Sequence, residues 1–516
     1  MPHRNPVHSS QAYYDELRAT SSTVQPDGTT KTIAAYAQLA GVWSLFMQLE
    51  GLQIASGTGP SAADSARLNA AQSQLLAPIN GLVRPGAQDL LPLIISAASW
   101  QQIEAGVQQR LRLLEAVLAD VYGSQSLLAK GQLPAALVQG HPGYLRPLHG
   151  VVPLGGTRLL WAAFDLQRDA QGQWWLQAQH TEAPAGLGTV LDNRQALQTP
   201  FAQAYAQLPV RSLADAPASL LNGLRRRSGA GAQASIALLT SGPFNAAYSE
   251  HTSLARHLGL RLVQGGALQL RAQSLALRGA EGEPAGDPPV HALLQQMDDF
   301  FLDPLELRAD SHLGVPGLLQ ALRAGNLLMA NMPGSGFLES PGLLSFLPAL
   351  AQSLLRQDLL LPALPTWWCG ERAAMVQALP QLASSVIYPS YPSSEAPVWG
   401  SSLGPQALRE WTSRILRNAP AYTLQAEPSA AQMPVWRAGQ LGMRAYSLRV
   451  FAFAGEDTGQ WTVLPGGLAR VANTAQENAV AYPSSSADVW VLGTAPGTLS
   501  DALTGEKSNH SDTSGA

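Results

Sequence analysis

The middle of the chain alternates between strand-like and helix-like segments. Residues 235–240 (SIALLT) form an apolar run typical of a buried strand, residues 253–259 (SLARHLG) have helical character, and residues 260–265 (LRLVQG) return to a strand pattern. Two neighbouring strands joined by a helix run parallel. The alternation therefore predicts at least one sheet with parallel strands.

Other segments predict antiparallel hairpins and a long helix. Residues 158–165 and 174–180 flank turn-forming residues at 169–172, and residues 448–453 and 460–464 flank the sequence GEDTG. Residues 99–118 have helical periodicity, with Ser99 as the expected N-cap. Together these patterns predict an α/β (α+β) fold with mixed sheets.

Composition and charge exclude several classes of protein. The chain has 516 residues, a net charge of -4 and only 13% charged residues, so binding to nucleic acid or to an anionic membrane has no electrostatic support. A single cysteine, Cys369, excludes an intramolecular disulfide framework. The first ten residues lack the apolar stretch of a signal peptide, and no run of 18 apolar residues occurs. We therefore expect a cytoplasmic protein.

The chain is expected to divide into three parts. Residues 1–88 are polar at first and then helix-like, which predicts a helical or irregular N-terminal extension. Residues 89–493 carry the strand and helix patterns of the main domain. Residues 494–516 end in GEKSNHSDTSGA, a polar composition that predicts a disordered tail.

Generic catalytic motifs are scarce. The glycine-rich segments GTAPGT and LGGT lack the lysine of a P-loop, and the ten histidines show no metal-ligand spacing. Ser402 in GSSLG formally matches a nucleophile motif but lacks the preceding strand. Cys369 follows two tryptophans, which favours a buried packing residue.

The densest polar segment follows a predicted strand at residues 290–297. It supports two interpretations. The first is a network of turns and helix caps, in which the sequence Asp-Pro at 303–304 opens a helix and Arg308 pairs within the segment. The second is a loop at the carboxyl end of a strand that faces a ligand. Five carboxylates this close need cations or N–H groups to balance them. The segment contains Asp298, Asp299, Asp303, Glu306, Arg308 and Asp310.

A second polar segment is NMPGSGFLESPG. Its Gly334, Ser335 and Gly336, between Asn331 and Glu339, could present backbone N–H groups to an anion, or could form a tight turn. Both interpretations stay open.

A third candidate site combines Arg146, in HPGYLRP, with Asp165 on the first predicted hairpin. Mg²⁺ prefers one or two carboxylates together with phosphate oxygens. A single strand carboxylate is weak evidence, since most are simply solvated.

Several segments together resemble the circularly permuted ATP-grasp family, type 2, whose well-understood relatives are glutathionylspermidine synthase-like ligases. The matches run in the family's order over roughly residues 90–475. They include GHPGYLRPLHGV, APAGLGTVLDNR, LLTSGPFNAAYSEHTSLARHLG, DPLELRADSHLGVPG, NMPGSGFLESPG, LPTWWCGE and LPGGLARVA.

The resemblance implies circularly permuted ATP-grasp lobes that bind ATP and Mg²⁺. It implies a metal-side hairpin at 144–194, a central α/β part at 233–370 and a nucleotide-lobe part at 380–475. It implies an acyl-phosphate route to an amide-type bond on a peptide or amino-acid-like carboxylate.

Carried over residue by residue, the resemblance makes Asp165 a metal ligand and Arg449 and Arg470 catalytic, with Arg449 also contacting the nucleotide. The cofactor would further contact Arg146, Gly334, Ser335 and Gly336. The substrate-side candidates are Asn245, Asp303, Glu306, Arg308, Asp310, Asn331 and Glu339.

Departures from the family pattern share one direction, the loss of charge where ATP and metal would bind. Tyr388 stands where a lysine is usual and Ala426 where a hinge glutamate is usual. At Gln179 and His180 the family typically has an acidic residue and an arginine. At Ala246 an acidic residue is usual, and at Gln295 and Gln296 a pair of arginines is usual. The only lysines are Lys31, Lys130 and Lys507.

The sequence therefore leaves two functions open. One is an active ATP-dependent carboxylate–amine ligase. The other is a degenerate ATP-grasp scaffold that acts as a binding or partner subunit. The resemblance names an α-E helical domain protein or a transglutaminase-like protease as expected partners, beside a small-molecule or peptide substrate.

Overall fold

The computed structural model describes residues 87–494 apart from 170, 280–287, 428–430 and 475–482. Before residue 87 it describes 23–24, 30–31, 46–50, 52, 54–55 and 59–76. Most of the predicted N-terminal extension and nearly all of the predicted tail at 494–516 therefore lie outside the described residues. The proposed domain limits stay predictions.

The described strands are short except near the centre of the largest sheet. They are β1 (Thr23–Val24), β2 (Thr30–Lys31), β3 (Ile54–Ala55), β4 (Gly59–Pro60), β5 (Ala87–Gln88), β6 (Leu93–Ile95), β7 (Trp161–Arg168), β8 (Trp174–His180), β9 (Ile236–Thr240), β10 (Arg261–Val263), β11 (Leu268–Arg271), β12 (Ser274–Leu277), β13 (Pro289–Val290), β14 (Ala292–Gln296), β15 (Leu328–Ala330), β16 (Thr366–Trp368), β17 (Ser385–Pro389), β18 (Val398–Trp399), β19 (Tyr422–Ala426), β20 (Gln432–Arg437), β21 (Gln440–Ala454), β22 (Trp461–Val463), β23 (Leu468–Ala472) and β24 (Pro483–Val491).

The described α-helices have between 4 and 25 residues. They are α1 (Ala62–Leu76), α2 (Ala97–Val121), α3 (Ser126–Ala129), α4 (Ala135–Gln139), α5 (Leu187–Leu197), α6 (Ala202–Gln207), α7 (Asp215–Arg227), α8 (Tyr248–Leu258), α9 (Leu318–Arg323), α10 (Leu347–Leu355), α11 (Arg372–Ala378) and α12 (Pro405–Arg417).

The largest sheet has nine strands, with the path β5-β24-β23-β21-β7-β8 and with β20, β22 and β6 paired beside it. Both predicted hairpins are confirmed: β7 pairs antiparallel with β8, and β21 with β22. Every residue of β7 is buried, as expected of a central strand covered on both faces. This sheet carries three of the residues that the resemblance assigns to metal and nucleotide or to catalysis: Asp165 on β7, Arg449 on β21 and Arg470 on β23.

A second sheet has the order β10-β9-β14-β15, and all three of its strand pairs are parallel. The predicted strand–helix–strand unit is confirmed as β9, α8 and β10. A third sheet, β16-β19-β17-β18, lies with α11 and α12 in the late part of the chain. The fold class is therefore mixed α/β, as predicted.

The long predicted helix is present but begins earlier than the sequence suggested. Helix α2 starts at Ala97, and Ser96 is its N-cap, since the Ser96 hydroxyl accepts the Ser99 N–H at 3.3 Å. The prediction of Ser99 as N-cap was wrong by one helical turn because both serines precede the same apolar stripe.

Candidate functional site

Asp165 lies near the middle of β7, directly opposite Arg449 on β21. The Arg449 guanidinium donates from Nε to Asp165 Oδ1 at 2.7 Å and from Nη2 to Oδ2 at 2.8 Å. His180 Nε2 lies 2.9 Å from Oδ2, and Arg470 Nη1 donates to the same oxygen at 3.3 Å. We call Asp165, His180, Arg449 and Arg470 the ion-pair cluster.

The carboxylate of Asp165 is neutralised by these neighbours. Burial alone would raise its pKa, but the charge of Arg449, the charge of His180 and the hydrogen bonds from both hold the pKa well below its ordinary value. Both oxygens of Asp165 are already occupied by donors.

The ion-pair cluster does not fit Mg²⁺, because a metal would have to displace guanidinium groups from its carboxylate ligand. In the part of the chain that the structure describes, no three His, Cys, Asp or Glu side chains converge to hold a metal ion. The assignment of Asp165 as a metal ligand stays a prediction without support from the donor arrangement.

Tyr388 takes the place where the resemblance expects a lysine. It lies on β17, and its hydroxyl accepts a hydrogen bond from Gln177 Nε2 of β8 at 3.2 Å. Burial raises its pKa to about 12, so the group is a neutral phenol near neutral pH. An uncharged side chain that bridges two sheets therefore lies where the resemblance expects a phosphate-binding cation.

Further contacts join the third sheet to β8. Gln425 Nε2 donates to the Gln177 carbonyl at 3.1 Å, and Leu176 exchanges backbone hydrogen bonds with Pro362 and Leu364. Ala426, at the expected hinge position, ends β19. The adjacent Glu427 accepts from Ser401 Oγ at 2.7 Å. Internal hydrogen bonds thus cross the surface between β8 and the third sheet, which carries Tyr388 and Ala426 of the predicted nucleotide-lobe part.

A second group of acidic side chains lies beyond the carboxyl ends of β8 and β14. The Asp299 N–H donates to Glu182 Oε1 at 2.7 Å, and the Glu182 and Thr181 N–H groups both donate to Glu339 Oε1 at 2.6 Å. We call Glu182, Asp298, Asp299 and Glu339 the acidic cluster. Of its members, Asp299 is buried, Glu182 and Glu339 are half-buried, and Asp298 is exposed.

The acidic cluster has no matching cation. Burial, and then the charges of Asp299 and Glu339, raise the pKa of Glu182 to about 9. Burial also raises the pKa of Asp299 to about 7. Among the residues described, none of these four carboxylates forms an ion pair, whereas Asp165, Asp488 and Asp89 are each paired with arginine.

Buried glutamines lie beside the acidic cluster where the resemblance expects charged residues. Gln295 Nε2 donates to Asp299 Oδ1 at 2.6 Å, Gln296 Nε2 to the Pro184 carbonyl at 3.2 Å, and Gln179 Nε2 to the Leu338 carbonyl at 2.7 Å. The amide oxygen of each of the three is buried and accepts no hydrogen bond.

The loop 334–336 is occupied by the protein's own carboxylate. The Gly334 N–H donates to Asp299 Oδ2 at 2.6 Å, and Gly334 has a φ of 96°, which favours glycine. Ser335 Oγ donates to the Thr181 carbonyl at 2.8 Å. Gly336 lies against the Glu182 carboxylate. The loop is therefore a tight turn in which one backbone N–H group, that of Gly334, binds the Asp299 carboxyl.

Asn331 holds two segments together. Its Oδ1 accepts the Leu160 and Trp161 N–H groups at 2.6 and 3.0 Å, and its Nδ2 donates to the Trp161 and Thr181 carbonyls. The Asn331 side chain is therefore buried and fully hydrogen-bonded, and it connects its own loop to residues 160–161 and to Thr181.

Four polar residues of the 298–310 segment follow the turn-and-capping interpretation. Asp303 accepts the Gly317 and Leu319 N–H groups at 3.0 Å each, at the start of α9. Glu306 pairs with Arg323, and Arg308 pairs with Asp310. The expected helix at 303–304 is wrong, since a turn forms there. Only Asp298 and Asp299 lie with the acidic cluster.

The remaining sequence candidates lie apart from both clusters or are inert. Arg146 is exposed in a 3₁₀ turn. Asn245 bonds within its own loop, to Ser241 and to the Ala247 N–H. Ser402 Oγ donates to the Trp399 carbonyl. Burial raises the pKa of the Cys369 thiol to about 11, which supports a packing role.

Glu182 is the one member of the acidic cluster that the sequence analysis missed. The available signal was its place two residues after β8, beside the family segment that begins at Ala183.

None of the helices in the described part of the chain is long and apolar enough to cross a membrane.

Comparison with known proteins agrees with this architecture. A protein of Mycobacterium tuberculosis described as uncharacterized is 33% identical over 421 residues, which are 80% of this chain and 75% of the relative. A Synechocystis protein, also described as uncharacterized, is 30% identical over 80% of this chain and 85% of its own length. A second M. tuberculosis protein is 37% identical over 265 residues, 51% of this chain but only 30% of that longer relative.

Among solved structures, a glutathione synthetase-like effector from Globodera pallida in its apo form shares the fold. The TM-score is 0.52 at 11% identity, over 83% of this chain and 96% of the other. The family model described as "circularly permuted ATP-grasp type 2" matches residues 92–472 of this chain. The chain therefore belongs to the circularly permuted ATP-grasp family, type 2, and has the fold of ATP-dependent ligases.

Proposed function

We propose that this chain is a non-catalytic member of its family, a binding or partner subunit that keeps the ATP-grasp fold and does not turn over Mg-ATP. The observation that carries the proposal is the ion-pair cluster. A carboxylate that holds a metal must offer free lone pairs, and both oxygens of Asp165 are engaged by Arg449, His180 and Arg470.

Two further observations support the proposal. Tyr388, a neutral phenol, stands where a phosphate-binding lysine is expected, and no lysine occurs from residue 131 to 506. Charge-assisted contacts to phosphate contribute about 1.5–3 kcal/mol each. The loss of a cation and of a metal ligand therefore removes the strongest contacts that a nucleotide could form.

The alternative is an ATP-dependent ligase that forms an amide-type bond through an acyl-phosphate on a peptide or amino-acid-like carboxylate. Its supporting observation is that two guanidinium groups, Arg449 and Arg470, remain together on the central sheet. Arg449 is already committed to a bidentate ion pair, which leaves mainly Arg470 to contact phosphate. The geometry favours the non-catalytic function.

For a partner, we propose an α-E helical domain protein or a transglutaminase-like protease, in the cytoplasm. The two partner classes come from the family resemblance. The longer M. tuberculosis relative, in which the matched segment is 30% of the whole protein, supports a partner only in that the segment occurs there within a longer chain. A domain that is part of a longer chain in one protein can act through a separate partner in another. Co-expression followed by size-exclusion chromatography would test each pairing.

Turnover is the direct test of the non-catalytic function. Phosphate and ADP release from Mg-ATP would be measured with mixtures of amines and amino-acid-like carboxylates, on the purified chain and on Arg449→Ala. We expect no release above the buffer rate in either protein. Release by the wild-type chain that is lost in Arg449→Ala would overturn the proposal and favour the ligase.

A further inference from the structure

Exposed apolar side chains are concentrated in two loops at one edge of the parallel sheet. In the described part of the chain eight large apolar side chains are exposed, and four of them lie in these loops. Phe244, in the loop after β9, is fully exposed, and Phe300, Leu305 and Leu313, after β14, are 45%, 72% and 37% exposed. Strands β9 and β14 run parallel, so both loops leave the same edge of the sheet. We call these four side chains the apolar patch.

The two loops adjoin through the short loop that follows β10. Gly265 of that loop lies directly against the Leu313 carbonyl, and Gly242, two residues before Phe244, lies against the side chain of Gln264. Strand β10 is also parallel to β9, which brings its carboxyl end to the same edge. The apolar patch therefore occupies adjoining loops on one surface and is not a set of scattered residues.

Hydrogen bonds fix the turns that carry the patch. The Asn245 N–H donates to the Gly242 carbonyl at 3.0 Å, which closes the turn around Phe244. The Leu305 N–H donates to Asp303 Oδ1 at 2.9 Å. Apolar side chains held in water are unfavourable, and the chain uses hydrogen bonds to keep the backbone that carries them in place. Anchors fixed in this way lose little conformational entropy when another surface covers them.

The size of the patch matches one side of a protein dimer. A phenylalanine side chain buries about 150–250 Å², so the four side chains together offer apolar surface on the order of a few hundred Å², the range in which exposed patches mark interaction sites. A stable interface covers about 800 Å² on each partner, of which a little over half is apolar. The apolar area that the patch offers is therefore of the size that a dimer requires.

The charges beside the patch select the occupant. Arg308 is paired with Asp310 and its guanidinium lies 5.9 Å from the Phe300 ring, and Arg323 is paired with Glu306, next to Leu305 along the chain. Both signs thus occur side by side, without the charge excess that attracts a strongly charged partner or an anionic membrane. A second copy brings the same pairs, and each cation can then meet a carboxylate of the other copy.

We propose that the apolar patch binds the same patch on a second copy of this chain, in a two-fold symmetric dimer with Phe244 and Leu305 as its main anchors. In such an interface both copies contribute the same residues. The inference goes beyond the proposed function, because it concerns the association of the chain with itself. Turnover of Mg-ATP tests the proposed function, and the state of association is measured without nucleotide, so the two can fail separately.

Sedimentation velocity of the full chain over a wide range of concentration would test the inference. We expect a reversible equilibrium between monomer and dimer. Phe244→Ser should weaken dimerisation about tenfold to a hundredfold, as expected for an aromatic anchor, and Leu305→Ser is a second variant. Leu416→Ser is the matched control, since Leu416 is 56% exposed on α12, outside the two loops. Circular dichroism would verify that each variant is folded.

The control separates the patch from a general effect of exposed apolar residues. Weaker dimerisation in Phe244→Ser and Leu305→Ser, with Leu416→Ser unchanged, would support the inference. A wild-type chain that is monomeric at every concentration would overturn it, as would a dimer that both loop variants leave unchanged or that Leu416→Ser weakens equally. A different protein that requires Phe244 for binding to a monomeric wild-type chain would also overturn the choice of a second copy.

Discussion

The ion-pair cluster and the acidic cluster lie on neighbouring parts of the structure, and their carboxyl groups differ in protonation state. Asp165 is charged because two arginines and a histidine surround it. Glu182 keeps its proton because its neighbours are other carboxylates. The first cluster is complete without a ligand, and the second lacks a cation. The difference teaches that a carboxylate can be buried either beside cations that keep it charged or beside other carboxylates that keep it protonated.

The largest effect is expected from Asp165→Asn. The substitution removes a buried negative charge and leaves Arg449 and Arg470 partly buried beside each other without it, which should lower the free energy of unfolding by about 3–5 kcal/mol. Urea unfolding followed by circular dichroism would measure it. Asp457→Asn, at an exposed pair with Arg226, is the control and should cost at most about 1 kcal/mol. Equal effects at the two sites would break the comparison.

Glu182→Gln should raise the free energy of unfolding, and the size of the increase should depend on pH. The folded-state pKa of about 9 lies above the ordinary 4.5, so the folded protein keeps a proton that the unfolded chain releases. The free energy of unfolding of the wild type therefore falls as pH rises from about 4.5 to 9.

Glutamine does not titrate, so the variant should gain stability over this window, by about 1–2 kcal/mol near pH 8 for a half-buried group. Thermal unfolding at several pH values would measure the gain. A loss of stability that is the same at every pH would contradict a protonated Glu182.

A smaller effect is expected where the third sheet meets β8. Tyr388→Phe removes the hydroxyl that accepts from Gln177 and should cost about 0.5–1.5 kcal/mol. Tyr391→Phe, which removes a more exposed hydroxyl bonded to the Ala136 carbonyl, should cost less. Thermal shift assays on both variants would rank them, and a larger cost at Tyr391 would mean that Tyr388 does not hold the sheets together.

Much of the fold was predictable because its signals are local. Hairpin β7–β8 and the parallel unit of β9, α8 and β10 each follow from periodicity within a short stretch. The nine-stranded sheet was not predictable, since β5 pairs with β24 almost 400 residues later along the chain. Pairings of that separation leave no pattern in a single sequence.

The candidate site divides in the same way. The resemblance assigned Asp165 to the metal-side hairpin and Arg449 to the nucleotide-lobe part, and only the register of β7 and β21 made the ion pair visible. Glu182 was missed because its partners Asp299 and Glu339 come from segments more than 100 residues away. The internal pairing of Arg308 was available from sequence because Asp310 is two residues away. The contacts of Asp303 with Gly317 and Leu319 were not, because they span 14 and 16 residues.

The central claim is that the ion-pair cluster does not bind Mg-ATP. Calorimetric titration of Mg-ATP into the purified chain, with and without Mg²⁺ and beside Arg449→Ala, tests it most directly. The account predicts no saturable heat from the folded wild-type protein. Micromolar binding that requires both Mg²⁺ and Arg449 would contradict it, since the arginine would then have to leave Asp165 and contact the nucleotide.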